Sequence, residues 1–290
     1  MQARYSKGLE SIPVELLLET QLFALSESLP YVSRHLYHVF KGTSSIYRAQ
    51  YIAYRLGHIT DESRLCTRAL RFPLCNRAVF EIFHRLVQAR IHPPNQELLV
   101  PPLELMLKPR DKEEETPKKA TTMKTTTYDL PRRLFNNLIP PSNGRPWRDN
   151  DAPLPFLHFL FEFKDGLLPD PNANSGYALT KSVHAQFMPL IQFLIDQGAS
   201  PSIKDNLAVM VAIRQRNLDL VKLLIERQEL TSSQPKSSKS SGKRRKLEDR
   251  VKVDARMLKV AVQCKAKDIA EYLCHEKGVI PDIQTLQLMA

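Results

Sequence analysis

Three windows near the end of the chain decide the fold. The first is Ser182-Val183 followed by Leu190-Ile191-Gln192-Phe193-Leu194-Ile195; the second is Ala212-Ile213 followed by Leu220-Val221-Lys222-Leu223-Leu224-Ile225; the third is Ala261-Val262 followed by Ile269-Ala270-Glu271-Tyr272-Leu273-Cys274. The first two are 30 residues apart and the last two 49 apart, and the excess falls in the Ser/Lys-rich stretch at residues 231–250. With that stretch excised, one period of about 30 residues runs through all three, as expected of a stacked-repeat architecture. Each unit reads as a short helix, a tight turn, a longer helix and a loop such as Gly198-Ala199-Ser200-Pro201. Asp170-Pro171-Asn172-Ala173 holds a similar place one unit earlier, after the apolar run Phe156 to Phe161. The expected fold class is all-α. In such a stack each unit shares its apolar faces with its neighbours, and the exposed edge becomes an extended surface for binding proteins.

These windows resemble ankyrin repeats, which are about 33 residues long and carry a Gly-Ala-Asp-Pro-Asn-like loop after the second helix. The matching positions are Leu194, Gly198, Ala199 and Pro201, then Ala212, Asp219, Val221, Leu223 and Leu224. The Thr-Pro-Leu-His turn of the family is missing, and Asn206-Leu207-Ala208-Val209 stands near its place, so the repeats are degenerate. The resemblance covers residues 151–290, with a basic disordered insert expected at 231–250, and extends to a helical hairpin at 58–92. An irregular helical bundle is the other reading of the same residues.

Upstream of the repeats, residues 93–150 read as a linker. Pro93-Pro94 and Pro101-Pro102 open it and Pro140-Pro141 and Asn143-Gly144 close it, while residues 108–127 are polar and expected to be largely disordered. Leu134, Phe135, Leu138 and Ile139 are the part expected to dock. In the 58–92 hairpin, Asp61, Glu62 and Ser63 start a helix through Leu65, Ala69 and Leu70, and Val79, Ile82, Phe83 and Leu86 mark a second.

Residues 1–57 read as a short three-helix unit. Pro13 suits a first helical position, where a missing N–H costs nothing, and Glu15 favours the same end through the helix dipole. Leu29, Val32, Leu36 and Phe40 fall near a helical period, with Gly42 as a left-handed terminator. Thr43 or Ser44 caps a third helix bearing Tyr47, Tyr51 and Tyr54. The run Ile12-Pro13-Val14-Glu15-Leu16-Leu17-Leu18-Glu19, followed by Val32-Ser33-Arg34-His35-Leu36-Tyr37, resembles an F-box. Two departures are a shorter gap between the proline and the valine, and Leu36 where a tryptophan is common. The resemblance implies docking on a Skp-type linker of a cullin–RING ubiquitin ligase through Pro13, Leu16, Leu17, Val32 and Leu36, with a client held by the repeats. A fungal-type F-box/ankyrin adaptor is thus one reading. A plain ankyrin-type scaffold capped by the N-terminal helices is the second.

Composition narrows the function classes. Nine glycines against 21 prolines suit short helices with proline-punctuated links better than a β-barrel. The net charge of +11 is uneven: residues 236–252 hold eight Lys/Arg and two acids, and residues 108–124 six and four. The basicity therefore belongs to two segments, and nucleic-acid binding by the folded part is not expected; a nuclear nucleic-acid-associated protein using the insert is the third reading. Lys243-Arg244-Arg245-Lys246 resembles a nuclear localisation signal, implying an import receptor and a nuclear or cytoplasmic location. No signal-peptide core opens the chain, and the longest apolar stretch, residues 153–163, is about half the ~20 residues a membrane helix needs, so no membrane partner is expected. Four cysteines with no C-x-x-C pairing, and no phosphate-binding glycine loop, point to no metal, no cofactor and no enzyme activity.

Overall fold

A computed structural model describes residues 8–91, 126–139, 145–163, 167–227 and 249–289. It is mostly helical, with 64% helix and 3% strand, and the chain divides into two compact units.

The first unit holds the residues up to Asp129 together with Phe159–Pro169. Helix α1 (Val14–Ala24) begins at Pro13 and ends at Leu25, whose φ of 49° turns the chain left-handed. A 3-10 turn (Leu29–Tyr31) leads to α2 (Arg34–Lys41), which Ser33 caps by accepting from the Leu36 N–H. Gly42 closes α2 at φ −82°, so this end needs no left-handed glycine; its N–H is shared between the His38 and Val39 carbonyls. Helix α3 (Ser45–Arg55) is capped by Ser44 and packs along α5 (Arg77–Ile91). Before α5 comes α4 (Glu62–Ala69), capped by Asp61. Capping side chains satisfy donors that the first helical turn leaves open, each worth about 1 kcal/mol. Two four-residue strands, β1 (Thr126–Asp129) and β2 (Leu167–Asp170), form a small sheet. β1 lies on α4, where Ser63 Oγ donates to the Thr127 carbonyl (2.6 Å) and Thr67 Oγ1 accepts from the Asp129 N–H (3.0 Å). The strand occupies the end of the stretch expected to be a polar linker. The compact unit also runs on past residue 57, because α3 and α5 bury Ile52, Val79 and Phe83.

The second unit holds Leu130–His158 and Asp170–Ala290. It opens with α6 (Arg133–Asn136), which packs on α8 and buries Phe135, with Leu138 buried just beyond. The chain passes between units inside α7 (Leu154–Glu162). Three helical hairpins follow: α8 (Ala173–His184) with α9 (Met188–Asp196), α10 (Ile203–Arg214) with α11 (Leu218–Ile225), and α12 (Ala255–Gln263) with α13 (Lys267–Glu271). A π-turn (Tyr272–Glu276) and α14 (Ile283–Met289) close the unit. The first helices stack in series, α8 on α10 and α10 on α12.

The sequence period reappears in the backbone. Gln186, Arg216 and Lys265 have φ of 53°, 56° and 55° at the same point of the three hairpins. After each, the next N–H (Phe187, Asn217, Ala266) donates to a carbonyl five residues back (Ser182, Ala212, Ala261). That is the Schellman way of closing a helix on a left-handed residue. The accepting residues are small and fully buried; the Ser182 hydroxyl is satisfied by the Ala178 carbonyl at 2.8 Å. Leu190, Leu220 and Ile269 are equivalent and buried, as are Leu194, Leu224 and Leu273. A second repeat lies at the entry of α8 and α10, where Asn174-Ser175-Gly176 and Lys204-Asp205-Asn206 are left-handed. Gly176 cannot readily be replaced: a Cβ there would sit 3.3 Å from Ile203 Cβ.

The insert has a closed base. The Arg250 N–H donates to the Ile225 carbonyl at 2.7 Å, so the chain returns beside the point from which it left. Lys277 Nζ lies 3.1 Å from Glu226 Oε1 and 2.9 Å from Asp249 Oδ1, and Tyr272 Oη donates to Glu226 at 2.8 Å.

Candidate docking surface of the N-terminal helices

The apolar residues of α1 and α2 divide into two sets. Leu17 (0% exposed) and Leu36 (1%) pack with Phe40 in one buried cluster, against Ile12, Leu18 and Leu29. Both were expected as contact residues; in the free chain they are buried at the joint between α1 and α2. Leu16 is 49% exposed and Val32 66%, and Pro13 is exposed at the start of α1. Val32 precedes the cap of α2 and so leaves the face that Leu36 and Phe40 bury. Val14, Phe23 and Tyr31 are further exposed apolar side chains on the same segments, and the sequence reading passed over them because helical period alone assigns faces and not cover.

Helix α3 holds this segment rigid. Tyr47, Tyr51 and Arg55 form one stripe and reach carbonyls of α1 and of the turn that follows it. Tyr47 Oη lies 2.9 Å from the Leu18 carbonyl and 3.1 Å from Gln21 Oε1; Tyr51 Oη donates to the Ser26 carbonyl at 3.1 Å. The Arg55 guanidinium donates to the Leu25 carbonyl and pairs with Glu27 at 2.6 Å. The Leu25 and Ser26 carbonyls lie at and beyond the end of α1, and Arg55 and Tyr51 satisfy them, while Tyr47 ties α3 to the middle of α1. Burial pushes the Tyr47 hydroxyl well above its usual range, with Tyr51 adding to it, so it stays a proton donor.

Beside these helices lies a cleft of about 530 Å³. Its aromatic lining is Tyr31, Tyr37, Phe40, Tyr47, Tyr51 and Phe72.

The remaining sequence candidates have plain surroundings. Lys243, Arg244, Arg245 and Lys246 lie outside the described residues. Cys66 and Cys75 are buried in the first unit, and burial, aided by the Glu62 charge, raises the Cys66 thiol to about 12, where it is neither nucleophile nor ready ligand. Among the described residues, no group of three or more His, Cys, Asp and Glu gathers as a metal site, and no helix is long and apolar enough to cross a membrane. No protein-family model matches this chain, and neither does any curated protein or solved structure.

Proposed function

We propose that the protein is a protein-binding adaptor, with an F-box-like docking surface on α1 and α2 and an ankyrin-like stack of hairpins in its second unit. The observation that carries this reading is the exposure of Leu16 and Val32 on segments whose neighbouring leucines form a core. Together with Pro13 they are the positions at which the F-box resemblance implies contact with a Skp-type linker. The ankyrin-like half of the reading is supported by the recurrence of one helix-closing turn at Gln186, Arg216 and Lys265. A client would then lie along the edge of the stack, and Lys243–Lys246 would bring in an import receptor. Catalysis would belong to other subunits.

The test is calorimetric titration of the chain with a purified Skp-type linker. Leu16→Glu or Val32→Glu should abolish the heat of binding while the circular dichroism stays that of wild type. Binding that survives both substitutions refutes the docking assignment.

A specific observation favours a second reading. Helix α3 packs along α5, so residues 8–57 are continuous with the hairpin that follows. This suits an N-terminal cap of a repeat scaffold with no ligase role. Under that reading deletion of residues 1–57 exposes Val79 and Phe83 and unfolds the rest of the first unit; an F-box that is a separate module predicts no such loss.

A further inference from the structure

We infer that the cleft beside α2, α3 and the α4–α5 link is a binding site for an acidic, proline-containing peptide segment. Pro13, Leu16 and Val32 do not line this site, although Tyr31, next to Val32, does, and the inference stands whether or not the chain serves a ligase.

Three features of the cleft converge on that ligand. The first is its floor. Aromatic rings with Pro30 and Pro73 among them make an apolar basin of about 530 Å³, within the usual range for sites that enclose a small segment. Flat aromatic rings pack well against pyrrolidine rings, and proline-rich segments meet aromatic grooves with little conformational entropy left to lose.

The second is the division of labour among the tyrosines. The hydroxyls of Tyr47 and Tyr51 are committed to the Leu18 and Ser26 carbonyls, so these two offer ring faces alone. Tyr31 and Tyr37 are exposed, and their hydroxyls meet no protein partner among the described residues. An extended proline-containing backbone has carbonyls with no internal partner, and two outward phenol donors suit them.

The third is charge. Lys41, Arg48 and Arg71 line the cleft, and none of them meets a carboxylate among the described residues. The Arg48 guanidinium is held in place by the Lys41 carbonyl (2.6 Å) and Thr43 Oγ1 (3.2 Å). The one acid in the lining, Glu27, is already neutralised by Arg55. Three cations facing an apolar basin select carboxylates at the flanks of an apolar body. A nucleic-acid strand also stacks on aromatic rings, but it is followed by cations spaced along a groove. Here the three cations line one basin.

The experiment uses the full chain and a fluorescein-labelled peptide Glu-Glu-Pro-Pro-Leu-Pro-Glu-Glu, read by fluorescence anisotropy. Arg71 and Tyr31 are exposed, so Arg71→Glu and Tyr31→Ala keep the fold, which circular dichroism checks. Saturable binding is expected, weakened ~tenfold or more by Arg71→Glu, as loss of a charge-assisted contact implies. Tyr31→Ala and added salt should weaken it too. The proposal is overturned by absence of saturable binding, by equal binding of the Lys-for-Glu peptide, by indifference to both substitutions, or by oligouridylate displacing the probe better than unlabelled peptide does. None of these outcomes bears on Leu16 or Val32, so failure here leaves the docking reading standing.

Discussion

Neighbouring leucines in α1 should respond very unequally to truncation. Leu17 is fully buried with Leu36 and Phe40, whereas Leu16 is half in water. Leu17→Ala removes three buried carbons and leaves a void that its neighbours fill only in part, a loss of about 2–5 kcal/mol. With a urea dependence of ~2 kcal/mol per molar, the midpoint of the first unit falls by about 1–2.5 M. Leu16→Ala removes the same atoms from a site that gains little from burial, about 0.5 kcal/mol or a shift of ~0.3 M. Leu36→Ala and Val32→Ala should repeat the contrast. The assay is urea unfolding followed by far-ultraviolet circular dichroism, with hydrogen exchange on peptides from residues 9–57 to localise the loss. Trp147 belongs to the second unit, so its fluorescence is the wrong probe for this transition. Equal midpoints for Leu16→Ala and Leu17→Ala would refute the division of α1 into a core side and a docking side.

Three further outcomes are expected. Glycine at Gln186, Arg216 or Lys265 relieves a left-handed conformation that costs an L residue ~1–2 kcal/mol, against ~0.5–1 kcal/mol of added chain entropy in the unfolded state; each variant should unfold at equal or higher urea, and three destabilised variants would contradict the shared turn. Replacing residues 228–248 by a short Gly/Ser turn should leave the thermal midpoint unchanged, since Ile225 and Arg250 are already hydrogen-bonded across the base; a large fall would show that the insert is structural. Burial raises the Glu226 carboxyl, but hydrogen bonds from Tyr272 and Lys277 outweigh it and hold the group below its ordinary 4.5. A depressed carboxyl adds stability above the unfolded value and loses it as pH falls through the folded one, so acid titration should cost wild type stability below pH 4.5 that Glu226→Gln no longer has to lose.

The helical class was legible because capping residues and apolar period are local signals; Ser44 and Asp61 cap where the sequence places them. The repeat was legible for the same reason, since Ala212 and Ala261 recur as small, fully buried residues that close their helices. What stayed hidden depends on distant chain. Period places Val32 on the face of Leu36, yet the 3-10 turn at Leu29–Tyr31 breaks the phase and leaves Val32 in water. Thr126–Asp129 looks like part of a polar run until Leu167–Asp170 pairs with it. The side chains that bond to the carbonyls of α1 and the turn after it come from Tyr47, Tyr51 and Arg55, 25 to 30 residues on, and no local rule pairs them. The cleft is assembled from five segments, and its cations gain meaning only from the carboxylates that are not beside them.

The most direct test of the adaptor reading is recovery of partners from cell extract by the full chain, beside the Pro13→Ala/Leu16→Ala double variant, with mass spectrometry of both. The account predicts a Skp-type linker and a cullin with wild type and their loss with the variant, while clients held by the second unit persist in both. Partners recovered equally by the two chains, with no linker or cullin among them, would contradict it and leave a capped repeat scaffold.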